Sequence, residues 1–256
     1  MKPGRDDGGP AVDLPPHPVL PEYYGASQDR QGFLNALFDR TANRYRIVDK
    51  AIGFGLSVYH RRRSLRDAGL RAGMAVLDVA CGSGLTTQGA LRLVGPGGRV
   101  VGLDPSAGML NEAKRGPSRH LVQGVGERLP FPDASFDFLS MGYALRHVSD
   151  LGLAFREFRR VLRPGGIVLL LEISRPRWAP FRSVTRFYIR TVLGVSFAAA
   201  TGNQDVRTLM RYWWDTIERC APPEAILSAL AEAGFVQCGV RERINGLLRN
   251  YRAVKA

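Results

Sequence analysis

The sequence is poor in cysteine, in lysine and in long apolar runs. Its three cysteines, Cys81, Cys220 and Cys238, have neither the spacing of a metal site nor an even count for disulfides, which indicates a reducing cytoplasm. The apolar runs Ile167–Leu171 and Val195–Ala200 are far shorter than the roughly 20 residues of a membrane-spanning helix. The first ten residues lack the apolar segment of a secretory signal, and the four histidines stand far apart. We therefore predict a cytoplasmic protein without a metal.

Positive charge is the unusual part of the composition. The 256 residues include 36 Lys and Arg against 23 Asp and Glu, a net charge of +13, and only four of the basic residues are lysine. Hydrophobic residues make up 45% of the chain, which excludes a disordered or collagen-like protein. The charge favours polyanionic partners, either nucleic acid or an anionic membrane face, and says nothing about the fold.

Strands and helices alternate along most of the chain. Strands are predicted at Met74–Val79, Arg99–Leu103, His120–Gln123, Phe136–Met141, Ile167–Ile173, Phe235–Val240 and Leu247–Val254. Helix signals lie between them, including Leu85–Val94 after a glycine turn and a helix that runs from an N-cap at Ser149 to Leu162. The strand Ile167–Ile173 is apolar enough to be buried on both faces. This alternation predicts an α/β fold with a doubly wound, mostly parallel, seven-stranded sheet.

Three segments flank or interrupt this pattern. Residues 1–28 are rich in Pro and Gly, and we predict a flexible or loosely docked arm there. Residues 28–70 have helical spacing, which predicts a helical cap at the start of a single domain over residues 29–256. The alternation lapses at 175–219. We interpret this stretch as a lid insertion over the carboxyl ends of the strands, where sheets of this kind bind ligands.

The turn after the first strand indicates a nucleotide-type cofactor. Gly82 and Gly84 match the start of a dinucleotide fingerprint, but its third glycine would fall at residue 87, which is Thr87. Asp78 stands four residues before Gly82, where its carboxylate would repel a pyrophosphate. The same carboxylate would attract the ammonium and sulfonium groups of S-adenosylmethionine. These residues therefore favour S-adenosylmethionine over NAD.

Asp104 ends the second strand, 20 residues beyond Gly84. A carboxylate there can accept hydrogen bonds from both ribose hydroxyls, whichever of the two cofactors is bound. A simpler interpretation stays open, in which a tight turn between strand and helix uses an Asp only as a helix cap.

Five longer motifs narrow the interpretation. VLDVACGSG, VVGLDPSAGML, ERLPFPDASFD, ALRHV and EFRRVLRPGG follow one another in the order and spacing of a class I methyltransferase. More narrowly, the chain resembles the ubiquinone/menaquinone C-methyltransferase family over residues 38–254. The resemblance implies S-adenosylmethionine as cofactor and a hydrophobic aromatic, quinone-like or isoprenoid acceptor, with C-methylation in quinone biosynthesis as the expected reaction. O- or N-methylation of another small metabolite stays open.

The resemblance also implies a set of cofactor contacts. They fall on Ser83, Asp104, Val125, Gly126 and Gly142. Adjacent candidates complete the predicted cofactor site: Asp78, Ala80, Gly82, Gly84, Pro105, Met109 and Glu127. Three positions depart from the family, which usually has Asn or Asp at residue 125, often Ser at residue 142 and often Asn at residue 147. The change to Val125 removes a side-chain hydrogen bond to adenine, worth about 1 kcal/mol.

Arg146 and His147, in the ALRHV motif, are the candidate catalytic residues. We expect Arg146 to stabilise a phenolate on the acceptor, while His147 takes its proton directly or through water. The candidate acceptor contacts are aromatic: Tyr45, Phe54, Tyr143, Tyr212 and Trp213. In the simpler alternative His147 bonds to the backbone, Arg146 pairs with a carboxylate, and the tryptophan packs in the core.

Two arginine-rich stretches predict different partners. The run Arg61, Arg62 and Arg63 is typical of a solvated helix face, whereas the arginines of 175–190 interleave with Trp, Phe, Tyr and Ile, as in a segment lying in a lipid headgroup layer. We therefore expect a small-molecule acceptor, peripheral contact with the inner face of an anionic membrane, and a homodimer as the candidate assembly. No nucleic acid partner is expected, since no RNA-binding module is evident. An RNA or protein methyltransferase and a non-catalytic cofactor-binding regulator remain as alternatives.

Overall fold

The computed structural model describes residues 14–52, 57–118 and 120–256. Seven strands form one sheet: β1 (Ala75–Val79), β2 (Arg99–Asp104), β3 (His120–Gln123), β4 (Phe136–Gly142), β5 (Leu162–Ile173), β6 (Phe235–Arg243) and β7 (Leu248–Lys255). Their order across the sheet is β3-β2-β1-β4-β5-β7-β6. The first five strands pair in parallel, and β7 pairs antiparallel with both β5 and β6. The predicted α/β fold with a mostly parallel, seven-stranded sheet is confirmed.

Helices cover both faces of the sheet. They are α1 (Arg30–Ile52), α2 (Ser57–Ala68), α3 (Leu85–Val94), α4 (Ala107–Lys114), α5 (Leu151–Val161), α6 (Ala179–Phe187), α7 (Gly194–Thr201), α8 (Gln204–Arg219) and α9 (Pro223–Glu232). A π-helical turn, Tyr188–Leu193, joins α6 to α7. The helices α1 and α2 form the predicted cap, and α6, α7 and α8 occupy the predicted insertion.

Alternate residues of the same strands enter two separate hydrophobic layers. On one face Val76 and Phe138 pack in a cluster that includes residues of α1, α2, α3 and α8. On the other face the adjacent Leu77 and Leu139 pack in a cluster with residues of α5 and α9. Strands buried on both faces in this way need apolar side chains at successive positions, which explains the continuous apolar runs in the sequence.

The structure corrects two details around β5. Asp150, and not Ser149, caps α5, since its carboxylate accepts a hydrogen bond from Leu153 N at 2.6 Å. The strand also begins at Leu162 and contains a charged residue, Glu172, whose side chain is fully buried. The prediction of an apolar strand is therefore wrong at this position, and a buried carboxylate of this kind requires a partner.

Part of the predicted arm is docked on the domain. Leu14 N donates to Asp150 Oδ2 at 2.9 Å, and Ala221 N donates to the Pro16 carbonyl at 2.7 Å. Leu20 is fully buried in the first hydrophobic cluster. Within the described residues, no helix is both long and apolar enough to cross a membrane.

Candidate active site

The carboxyl ends of β1, β2 and β4 border a cleft, and α1 lies over it. The cleft encloses about 890 Å³ of space, part of which is open solvent. Asp39 on α1 fastens this helix to the N-terminus of α4, because its carboxylate accepts hydrogen bonds from Ser106 Oγ at 2.5 Å and Gly108 N at 2.8 Å. The cap helix thereby contributes Leu34 and Phe38 to the wall of the cleft.

Most of the predicted site residues line this cleft. From the ends of β1 and β2 come Ala80, Gly82, Ser83, Asp104, Pro105 and Met109. A second group lies beyond β3 and at the end of β4: Val125, Gly126, Glu127 and Gly142. Of the catalytic and acceptor candidates, Tyr45, Tyr143 and His147 line it as well. Phe54 lies outside the described residues.

Other predicted residues lie behind the cleft wall. They are Asp78, Gly84, Arg146, Tyr212 and Trp213, of which the side chains of Asp78, Arg146 and Tyr212 are fully buried. Gly84 adopts φ +81, a left-handed conformation at the start of α3 that favours glycine. These residues are therefore placed to support the cleft, and their roles in binding or catalysis stay predictions.

The carboxylate of Asp104 is held in place by the glycine loop. Gly82 N donates to Oδ2 at 2.7 Å, and Ser106 N donates to Oδ1 at 2.9 Å. Burial raises the pKa of Asp104 to about 6, so that the group is still ionised at neutral pH. Each oxygen keeps a further lone pair, and a pair of ribose hydroxyls is the donor set that such a carboxylate accepts.

Asp78 acts from beneath the cleft floor. Its two oxygens accept hydrogen bonds from Thr87 Oγ1 at 2.6 Å and Ser140 Oγ at 2.7 Å. Burial raises the pKa of Asp78 to about 6, while the positive charge of Arg61 opposes that rise. The threonine that replaces the third glycine of a dinucleotide fingerprint therefore holds the carboxylate. Asp78 itself does not line the cleft, and its attraction for a cationic cofactor stays a prediction.

Thr86 explains why residue 142 is a glycine. A Cβ atom at Gly142 would lie 2.5 Å from Thr86 Oγ1, closer than real atoms approach. The hydroxyl of Thr86, on the first turn of α3, occupies the space that a serine side chain at residue 142 would need. At this point of the cleft the hydroxyl of Thr86 therefore lies beside a glycine.

Arg61 borders the cleft, although the sequence predicts a solvated position for it. The prediction of a solvated face holds for Arg62 and Arg63, which are exposed, but Arg61 is only 4% exposed and lines the cleft. Its guanidinium carbon lies 4.6 Å from the centroid of the Tyr143 ring. One face of α2 packs against the rest of the domain. Which of the three successive arginines lies on that face depends on tertiary packing, and the sequence alone does not show it.

His147 sits among aromatic rings at one end of the cleft. Its ring stacks on Tyr212 with centroids 5.7 Å apart and meets the edge of Phe38 at 5.4 Å. Burial, reinforced by the nearby positive charge of Arg146, holds the pKa of His147 well below its usual value. Nδ1 has no hydrogen-bond partner among the described residues. The lowered pKa keeps the imidazole neutral near neutral pH, and Nδ1 is itself buried.

Arg146 forms a buried ion pair behind His147. Its guanidinium pairs with Glu172 of β5 and donates to Thr216 Oγ1 at 3.1 Å. The guanidinium of Arg30 donates to the carbonyl of Arg146 and lies 2.8 Å from Nε2 of His17. These contacts fix the 3-10 turn Leu145–His147 from behind. The side chain of Arg146 therefore lies among buried partners, and its role in catalysis stays a prediction.

The residues present fit S-adenosylmethionine. Asp104 offers acceptors for the ribose, and Val125 and Met109 give an apolar border for adenine. Ser83 Oγ is buried in the wall with no partner among the described residues, which leaves a donor for a polar ligand atom. The negative potential of Asp78 suits a cationic ligand. No phosphate is required to explain any of these groups.

Comparison with known proteins identifies relatives along most of the chain. The profile of the ubiE/COQ5 methyltransferase family matches residues 26–255. The ubiquinone/menaquinone biosynthesis C-methyltransferase UbiE of Hahella chejuensis is 33% identical over 235 residues, 89% of this chain and 93% of that protein. A demethylmenaquinone methyltransferase of Beutenbergia cavernae is 34% identical over 224 residues, 86% of this chain and 89% of that protein.

Solved structures support the fold. A methyltransferase of Aquifex aeolicus that depends on S-adenosylmethionine matches 84% of this chain and 98% of its own, with a TM-score of 0.60 and 18% identity. Another such methyltransferase, of Thermotoga maritima, matches 86% of this chain and 99% of its own, with a TM-score of 0.63 and 17% identity. Together with the matched family profile, the cleft establishes an enzyme that uses S-adenosylmethionine. The chain belongs to the ubiE/COQ5 methyltransferase family.

Proposed function

We propose that the protein methylates a ring carbon of a hydrophobic, quinol-type aromatic acceptor. The observation that carries this proposal is the aromatic end of the cleft, where the neutral imidazole of His147 lies beside Phe38 and close to Tyr45. Flat apolar walls suit an aromatic ring, and they offer little to a charged amine or a nucleic acid. The names of the relatives, which refer to menaquinone and ubiquinone biosynthesis, support the same acceptor class.

Each methyl transfer to a ring carbon releases one proton, and His147 is placed to receive it. The bound cofactor supplies an electrophilic methyl group on a sulfonium. A free phenol has a pKa near ~10, so complete transfer of its proton to a histidine of lowered pKa is uphill. The methylated ring carbon is a much stronger acid, because losing its hydrogen restores aromaticity. A weak base such as the neutral imidazole of His147, which lines the cleft, is sufficient for that step and can accept a hydrogen bond from the ring hydroxyl beforehand.

Arg146 has a positioning role in this proposal. Its side chain lies behind the cleft wall, paired with Glu172, and therefore does not contact the acceptor. The ion pair instead holds the turn that presents His147. Burial keeps the imidazole neutral by lowering its pKa, and the positive charge of Arg146 adds to this effect. Arg146 thus acts on the proton acceptor and not on a phenolate.

Methyl transfer to a defined quinol tests the acceptor class. We expect the purified protein to methylate a demethylmenaquinol with a short prenyl chain, kept reduced by excess dithionite, on the unsubstituted ring carbon. Mass spectrometry and carbon NMR of the product with labelled cofactor would locate the new methyl group. Catechol and histamine serve as controls for O- and N-methylation. Transfer to either control, with none to the quinol, would contradict the proposal.

We further propose that the outer face of α6 contacts an anionic phospholipid membrane, from which a prenylated acceptor would enter. Val184 and Phe187, one turn apart on this helix, are more than 60% exposed, as is the preceding Trp178. Arg175 and Arg186 are exposed in the same segment. Apolar side chains flanked by arginines are typical of helices that lie in a headgroup layer, where each cation contributes about 1 kcal/mol.

Vesicle binding distinguishes this surface from a contact between two copies of the chain. We expect co-sedimentation with vesicles of phosphatidylcholine and phosphatidylglycerol at low salt, and loss of binding in a Val184→Ser/Phe187→Ser variant. Leu153→Ser, at another exposed apolar residue on α5, is the matched control and should still bind. A double variant that binds vesicles normally, or that only changes the oligomer measured by analytical ultracentrifugation, would rule out the membrane surface.

A further inference from the structure

A buried cation in the cleft wall has no role in the reaction described above. Arg61 on α2 is 4% exposed and borders the cleft beside Gly142 and Tyr143. A Cβ atom at Gly142 would lie 3.9 Å from Arg61 Nε, so the guanidinium reaches the carboxyl end of β4. A guanidinium carries five N–H donors in a planar fork, which suits a ligand that accepts more than one hydrogen bond.

The neighbouring groups favour an anion at this place. Thr86 lies on the first turn of the ten-residue helix α3, where backbone N–H groups and the helix dipole attract negative charge. Ser83, in the loop leading into the same helix, is 2% exposed and lines the cleft, and its Oγ lacks a partner in the part of the chain that the structure describes. A buried hydroxyl donor and a helix N-terminus thus add to the charge of Arg61.

The same region also holds a negative charge, which lies near enough for Arg61 to oppose the rise that burial causes in the pKa of Asp78. Asp78 is fully buried beneath the floor and is bonded to Thr87 and Ser140. The cleft therefore combines a cation in its wall with a carboxylate under its floor, which matches a zwitterionic group better than a simple anion. S-Adenosylmethionine carries such a group in its methionine part, an ammonium next to a carboxylate.

We propose that Arg61 binds the α-carboxylate of S-adenosylmethionine, with Ser83 as a further donor to the same group. The assignment depends on the cofactor alone and not on the identity of the acceptor. It gives the cofactor site two complementary charges, Arg61 for the carboxylate and Asp78 for the positive groups. A guanidinium offers two parallel donors to a carboxylate, which would fix the orientation of the methionine chain and hence of the methyl group.

Binding calorimetry without an acceptor tests this assignment. S-Adenosylhomocysteine keeps the methionine-type carboxylate, whereas 5′-methylthioadenosine lacks both the carboxylate and the amine. We expect Arg61→Met to weaken binding of S-adenosylhomocysteine by about 10- to 100-fold, the range for a hydrogen bond to a charged group. Binding of 5′-methylthioadenosine should be unchanged. Arg61→Lys, which keeps the charge but not the paired donors, should lose less affinity for S-adenosylhomocysteine than Arg61→Met.

Controls separate this contact from a structural role. Arg62→Met removes an exposed charge from the next position of the same helix and should alter neither ligand's affinity. An equal loss for both ligands in Arg61→Met would assign the residue to folding and overturn the proposal. Arg61→Met could instead leave the binding of S-adenosylhomocysteine unchanged and lower the methylation rate. That result would show that Arg61 interacts with the acceptor and not with the cofactor carboxylate, and it would also overturn the proposal. Failure of the quinol assay does not affect these binding measurements.

Discussion

Replacing Arg146 with methionine is expected to lower the free energy of unfolding by about 3–5 kcal/mol, the usual cost of breaking a buried ion pair. Both side chains of the pair with Glu172 are fully buried, so neither charge is solvated once its partner is lost. Methionine fills a similar volume, which limits the contribution of a cavity. Urea denaturation followed by circular dichroism measures the change.

The pH dependence of this loss identifies its cause. Burial raises the pKa of Glu172, and Arg146 opposes that rise, so the pKa of the carboxyl should be higher still in the variant. A carboxyl group whose pKa is higher in the folded than in the unfolded protein destabilises the folded state. The loss of stability is complete at high pH and absent below the pKa of the unfolded state. The stability difference between wild type and variant should therefore shrink as the pH falls from 8 toward 4.5.

An exposed ion pair provides the matched control. Arg163 and Asp137 are 2.7 Å apart, with side chains 48% and 30% exposed. Pairs in contact with solvent contribute about 0–1 kcal/mol, so Arg163→Met should cost little. Equal destabilisation by Arg146→Met and Arg163→Met would contradict the larger contribution expected from the buried pair.

The elements around the cofactor cleft could be predicted from local signals. The helix predicted at Leu85–Val94 starts after a glycine turn and stops before Gly95. The structure has the same limits, with Gly95 as the C-cap. Asp104 and Gly82 lie at the carboxyl ends of two adjacent parallel strands, which brings them together in any sheet of this topology. Spacing along the chain was therefore sufficient to bring Asp104 to the glycine loop, and its contact with a ribose stays a prediction.

The charged residues behind and beside the cleft could not be placed in this way. Arg146 and Glu172 are 26 positions apart, and their pairing depends on the register between β4 and β5 and on the turn that follows β4. Arg61 differs from Arg62 and Arg63 only in the side of α2 on which it lies. Both features follow from tertiary packing, which a single sequence with three adjacent arginines does not specify.

Replacing His147 with alanine is expected to lower kcat by about 10²- to 10⁴-fold, the contribution of a positioned general base. Affinity for S-adenosylhomocysteine should be unchanged, because the proposed role of the imidazole concerns only the acceptor's proton. The pKa of His147 is held well below 6.5 by burial, and a base must be deprotonated to act. The wild-type rate should therefore be independent of this group above pH 6.5 and decline only at a considerably lower pH.

Two further variants show whether His147 accepts a proton or only a hydrogen bond. His147→Asn keeps a polar side chain but has no basic nitrogen, and it restores the residue that the family often has at this position. A loss of kcat as large as that of His147→Ala would support proton transfer to the imidazole. Wild-type activity in His147→Asn would instead show that hydrogen bonding to the acceptor is sufficient. His120→Ala, at an exposed histidine on β3, should leave the rate unchanged and controls for loss of an imidazole elsewhere.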